Sequence, residues 1–212
     1  MAMFLSNIRY VAWTALAAGV LFLIYASMVM APTPYTLVDS AYWQAALRWS
    51  HVLCAIMWVG HLYYFNFTQI PNMPKIPEEA RGPAIAKVIA PAALFWFRWA
   101  AMLTLITGLL LAWNQGYAMQ ALTLGALDDP RFAVPKHIFI GIGMWLAIIM
   151  WFNVWFIIWP NQQRALNIDN KFPDLDATAR AASGKTAMLF SRANTLLSAP
   201  MLVAMTGATT LF

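Results

Sequence analysis

Apolar residues in this chain fall in five long blocks separated by shorter polar stretches that carry most of the prolines. A membrane-crossing helix needs about 20 mostly apolar residues, and every block reaches that length. The blocks predict helices over about 10–30, 41–67, 93–113, 135–159 and 186–211. Pro32 and Pro34 are expected to close the first, and Pro160 to stop the fourth, which opens with Pro135 in its first turn. The first block exceeds a signal-peptide core of roughly 7–15 apolar residues and reads as an uncleaved helix. Between the second and third blocks, Pro71, Pro74, Pro77 and Pro83 mark a loop. A short interfacial helix is expected there from about Pro77 to Ala90, with Glu78 and Glu79 in its first turn.

Composition excludes a water-soluble domain. Of 212 residues, 62% are hydrophobic and 10% charged, against about 25% charged in soluble domains. The predicted fold class is an all-α integral membrane bundle of five transmembrane helices, residues 1–212 forming a single transmembrane domain with lipid as its surroundings. Cys54 is the only cysteine, which excludes a disulfide framework and a Cys-x-x-Cys-His haem attachment. The net charge of +5 does not point to nucleic acid, because the position of the charges matters more than their sum.

Those positions predict orientation. Arg9, Lys75, Arg81, Lys87, Arg164, Lys171, Arg180 and Lys185 fall on one side, and only Arg131 and Lys136 on the other. The N-terminus is therefore expected in the cytoplasm and the C-terminus in the periplasm. Tyr42, Trp43, Trp113 and Trp159 fall near the expected interfaces, as aromatic belts do.

All three histidines lie in spans, where ionisable groups are costly and tend to be functional. At about 100° per residue, Arg48, His51 and Trp58 share one side of the second helix, with His61 at its edge. On the fourth, His137 heads a stripe carrying Gly141 one turn below and Trp151, Trp155 and Trp159 beyond. This pattern suits haem b: imidazole as axial ligand, glycine for close approach of a macrocycle, and arginine for a propionate. His51 and His137 are the natural iron ligands, with Arg48, Trp58 and Gly141 around the cofactor, although His51 lies about 10 Å deeper than His137 by helix rise. The competing reading makes each histidine a hydrogen-bonded packing residue. Arg98 and Arg192 are expected to snorkel from near the cytoplasmic ends. Asn153, and Asn194 with Ser198 on one face, are expected to bond between helices for about 1 kcal/mol each.

RWSHVLCAIMWVGHLYYFNF (Arg48 to Phe67), ALFWFRWAAMLTLITGLLL (Ala93 to Leu111), NVWFIIWPNQQ (Asn153 to Gln163) and SRANTLLSAPML (Ser191 to Leu202) resemble the membrane domain of the bacterial membrane-bound urate hydroxylases. The WPNQ stretch is the most specific part. The resemblance implies an inner-membrane oxidoreductase converting urate to 5-hydroxyisourate, with electrons leaving to a cytochrome c. In that family a periplasmic cytochrome c domain typically follows the last membrane helix; here no Cys-x-x-Cys-His follows, so a separate periplasmic cytochrome c is the expected partner. Arg48, Trp58, Asn161 and Gln162 are of the types a flat anionic purine needs, but the amides and Arg48 are expected on opposite sides of the membrane. The alternative is a non-catalytic accessory subunit of a larger respiratory or photosynthetic membrane complex, a role that suits eleven tryptophans and thirteen adaptable methionines. A transporter fits less well, because no span pairs a broken helix with binding groups.

Overall fold

The computed structural model describes residues 6–31 and 35–212, so Pro32 and Pro34 lie outside the described residues. The described residues are helical, without a strand. Helix α1 covers Ile8–Met30, with Asn7 as its N-cap accepting from the Arg9 amide at 3.0 Å. Helix α2 covers Ser40–Tyr63 and runs on as a π-helical stretch, Tyr64–Gln69. Helix α3 spans Glu78–Asn114, a short α4 covers Ala118–Leu122, α5 spans Pro135–Leu166, and α6 covers Ala177–Gly207. Among the described residues, α1, α3 and α5 are long and apolar enough to cross a membrane.

Two expectations about breaks are corrected. The expected interfacial helix is continuous with the third span, so one helix of 37 residues runs from Glu78 to Asn114. Pro160 does not stop α5, which continues to Leu166. The reason is local geometry. Asn153–Ile158 is a π-helical stretch in which the Trp159 amide reaches back five residues to the Val154 carbonyl. The widened turn comes just ahead of the proline, where an α-helical ladder would need the N–H that proline lacks. The same order recurs before Pro71, where Ile70 bonds Phe65, and before Pro91, where Ala90 bonds Ile85.

The chain divides into two compact units, Met1–Ser50 and His51–Phe212, the boundary falling within α2. In the first, Ser27 is the buried residue of α1, and its hydroxyl donates to the Leu23 and Ile24 carbonyls at 2.9 and 3.1 Å. Gly19 packs against the Trp49 ring, which leaves no room for a Cβ. In the turn before α2, Asp39 accepts from the Thr36 amide at 2.6 Å and the Thr36 hydroxyl at 2.8 Å. These bonds, the amide's foremost, hold its carboxyl below the ordinary value. The turn therefore keeps this contribution above the usual carboxylate range and loses it as pH falls through the lowered value.

In the second unit the core is built from Trp58, Leu62, Phe97, Met150 and Val154, all nearly or fully buried. Helices α5 and α6 approach closely where small residues meet: a Cβ on Gly143 would lie 2.9 Å from the Ala204 Cβ. The expected polar contacts form at this depth. Asn153 donates to Asn194 at 2.8 Å, Asn194 donates to the Met150 carbonyl at 2.9 Å, and Ser198 meets the Tyr63 hydroxyl at 2.8 Å. Asn66 also donates to Ser191 at 2.8 Å. Outside the core, Arg180 gathers the Phe172 and Leu175 carbonyls, and Arg81 those of Pro74 and Ile76. Two of the basic residues that set the charge asymmetry thus also tie down loop backbone.

Gly141 sets the seat of α4, since a Cβ there would run into the Ala121 carbonyl oxygen. Gly141→Ala is expected to destabilise the fold by about 1–3 kcal/mol, because backbone rather than a flexible side chain must give way. Gly60 has open space around it, so Gly60→Ala is expected to be neutral or slightly stabilising. Thermal unfolding of the detergent-solubilised variants checks both; equal stability of Gly141→Ala and the parent chain would contradict the packing.

Candidate functional site

His51 projects from α2 onto α3. Its Nδ1 lies 2.9 Å from the Thr104 carbonyl oxygen and 3.2 Å from the Thr107 hydroxyl. Thr107 spends its own hydrogen on the Leu103 carbonyl at 2.6 Å. A carbonyl only accepts, so Nδ1 carries the proton, and in the neutral ring the lone pair is on Nε2. Gly108 makes room for the ring: a Cβ there would lie 2.8 Å from Cε1 of His51. The half-buried imidazole is thereby fixed in tautomer and orientation by one turn of α3.

His137 sits at the start of α5 in a different setting. Its Nδ1 is 2.7 Å from Oδ1 of Asp128, whose side chain is only 2% exposed. Its ring stacks on Tyr117, with centroids 6.0 Å apart and planes at 22°. The loop that holds Asp128 turns back through Gly125, which has a φ of +82°; this is the left-handed region that glycine enters without strain. Here too Nδ1–H donates, leaving Nε2 for another partner. The second carboxylate oxygen of Asp128 is buried and unpartnered among the described residues.

The structure seats the other candidates apart. No hydrogen bond or ring contact joins His51 to His137 among the described residues. Gly108, against which His51 packs, is about 9 Å of helix from Asn114, and Tyr117 lies beyond that end. Trp58 is buried in the core, with its indole N–H unpartnered. The Gly141 notch is filled by the backbone of α4. Arg48 is exposed. His61 donates to the Met57 carbonyl one turn back at 2.7 Å. Among the described residues no group of three or more His, Cys, Asp or Glu side chains is placed to hold a metal ion directly.

One cluster was not foreseen. The Arg98 guanidinium lies over the Trp159 ring at 3.7 Å, with Trp155 at 5.2 Å and Trp99 at 5.9 Å. Its Nε is buried and unpartnered, and Trp99 and Trp155 meet edge to face at 5.3 Å. The tryptophan stripe on α5 was visible in the sequence, but the register that sets it against α3 was not. Nearby, a cavity of about 50 Å³ is lined by Gln69, Gln162 and Ser191 among Phe65, Leu94 and Phe97. That is room for a few waters, not a macrocycle.

The chain matches no family model, no curated protein and no solved structure.

Gly108→Ala is expected to push the His51 ring off Thr104, because the new methyl would meet Cε1 within van der Waals distance. Loss of the hydrogen-bonded Nδ1–H signal of His51 in a nitrogen-15 NMR spectrum checks this. An unchanged signal would show that the ring does not depend on the glycine.

Proposed function

We propose that this chain is an integral membrane redox protein of the bacterial inner membrane. It crosses five times, with the N-terminus in the cytoplasm and the C-terminus in the periplasm. It binds haem b through histidine and passes electrons to a separate periplasmic cytochrome c. The observation that carries the reading is the His51 seat. A ring whose Nδ1–H is committed to a backbone carbonyl presents a basic, oriented Nε2, as metal-ligating imidazoles do. His137, donating to the buried Asp128, has the same chemistry.

Either histidine would hold the haem iron through its Nε2, and no contact joins the two among the described residues. When bound, haem would supply a one-electron couple. The chain's own residues do the rest. Thr104 and Thr107 hold the His51 proton on Nδ1, and Gly108 lets α3 close against the ring. Asp128 and Tyr117 do the same service for His137.

Five crossings are supported by length and by internal pairing of polar groups. Helix α2 has 24 residues and α6 has 31, each enough for about 30 Å of hydrocarbon. Their polar residues Tyr63, Asn66, Ser191, Asn194 and Ser198 are bonded inside the protein, which lowers the cost of carrying them through lipid. The sequence resemblance to urate hydroxylase membrane domains points to the same class. A second reading, an accessory subunit of a larger membrane complex, is favoured by α1, which presents Trp13, Leu21 and Phe22 outward and buries only Ser27.

Absorbance of the detergent-purified protein, oxidised and dithionite-reduced, tests the haem reading. A Soret band at roughly 400–430 nm is expected in the parent chain and in His61→Ala, and its loss is expected in His51→Ala. A flat spectrum from cells supplied with haem, or an equal band in His51→Ala, would contradict the assignment.

A further inference from the structure

We propose that Arg98 and its tryptophan cage form a binding site for the phosphate of an anionic membrane lipid; this rests on the membrane reading above but not on haem. The guanidinium has five donors in a planar fork. One face is covered by Trp159 at 3.7 Å, and Trp155 and Trp99 close the sides. Indole faces attract the charge without accepting its in-plane N–H groups, so they leave the fork's hydrogen bonds to another partner. None comes from the protein: among the described residues Arg98 has no hydrogen bond, and the ion pair found is His137 with Asp128, on another part of the fold.

Depth decides what can supply the missing acceptor. About 24 Å of helix separates Arg98 from Asn114 at the far end of α3, most of a hydrocarbon layer of about 30 Å. Arg98 therefore lies within snorkelling reach of the opposite headgroup layer. Trp159 is on the polar end of α5, followed at once by Pro160, Asn161 and Gln162. Around the site, Trp96 and Trp99 are exposed, so it opens to lipid. An unpaired arginine within the apolar layer is costly, and a phosphate diester at its rim supplies both countercharge and paired acceptors. A free inorganic anion offers the same oxygens but has to leave water to reach a site walled by indoles.

Native mass spectrometry of the full chain in mild detergent, titrated with phosphatidylglycerol, phosphatidylcholine or inorganic phosphate, tests this. The tightest phosphatidylglycerol is expected to bind at least tenfold more weakly to Arg98→Gln, and about threefold more weakly to Arg98→Lys, which keeps charge but loses the fork. Trp159→Leu is expected to weaken it without removing charge. Arg164→Gln, at an exposed arginine near the same end of α5, is expected to bind as the parent does. Millimolar inorganic phosphate is expected not to displace the lipid. Equal binding by Arg98→Gln and the parent, with both giving the same helical circular dichroism, would overturn the proposal and leave cation–π contact alone to hold the charge. Displacement by inorganic phosphate would overturn it in favour of a free-anion site. Failure of the chain to fractionate with membranes would instead defeat the membrane reading on which it stands.

Discussion

A polar side chain on an apolar helix is best satisfied by a partner within the protein, and that constraint shapes most of what is specific in this structure. The helices satisfy their own backbones, so the remaining demand comes from side chains. Asn153 and Asn194 answer each other and the Met150 carbonyl, and Tyr63 answers Ser198. His51 answers Thr104, and its free nitrogen is a consequence of that bond. Where no acceptor is present, as at Arg98, aromatic faces surround the charge. The candidate site and the packing of the bundle thus follow from the same requirement.

Backbone geometry serves it too. Three times a π-helical stretch ends two residues before a proline, at Pro71, Pro91 and Pro160. Each widened turn lets a helix carry on past a residue that usually ends it. The last case adjoins the Arg98 cluster. Trp151, Trp155 and Trp159 all precede Pro160 on α5, and the last two reach Arg98.

Much of this was legible in the sequence. Each of the five apolar blocks overlaps a helix, α1, α2, α3, α5 and α6 in turn, because block length and hydrophobicity are properties of single segments. Asn153, Asn194 and Ser198 were readable as interhelical contacts, since a lone amide or hydroxyl in such a block has few other options. The prolines misled, because proline chemistry predicts a break and the sequence does not show where a wider turn will absorb it. The site was legible only in part. His51 and His137 stood out as residues, but their partners lie on other segments: Thr104 is 53 positions from His51, and the Asp128 that holds His137 sits in a loop closed by left-handed backbone. Gly141 read as an opening and serves α4 instead, and Gly108, which does face a histidine, gave no sign of it.

The proposed arrangement has lipid surrounding five helices threaded in a fixed direction. The most direct measurement is membrane-impermeant thiol labelling of intact cells, using single cysteines placed at Glu79, at Asp129 and after Phe212 in a chain whose own Cys54 is replaced by alanine. Labelling at Asp129 and after Phe212, with protection at Glu79 until the membrane is opened, is the predicted result. Labelling of Glu79 from outside, or protection of the site after Phe212, would contradict the five-pass arrangement and the delivery of electrons to the periplasm that depends on it.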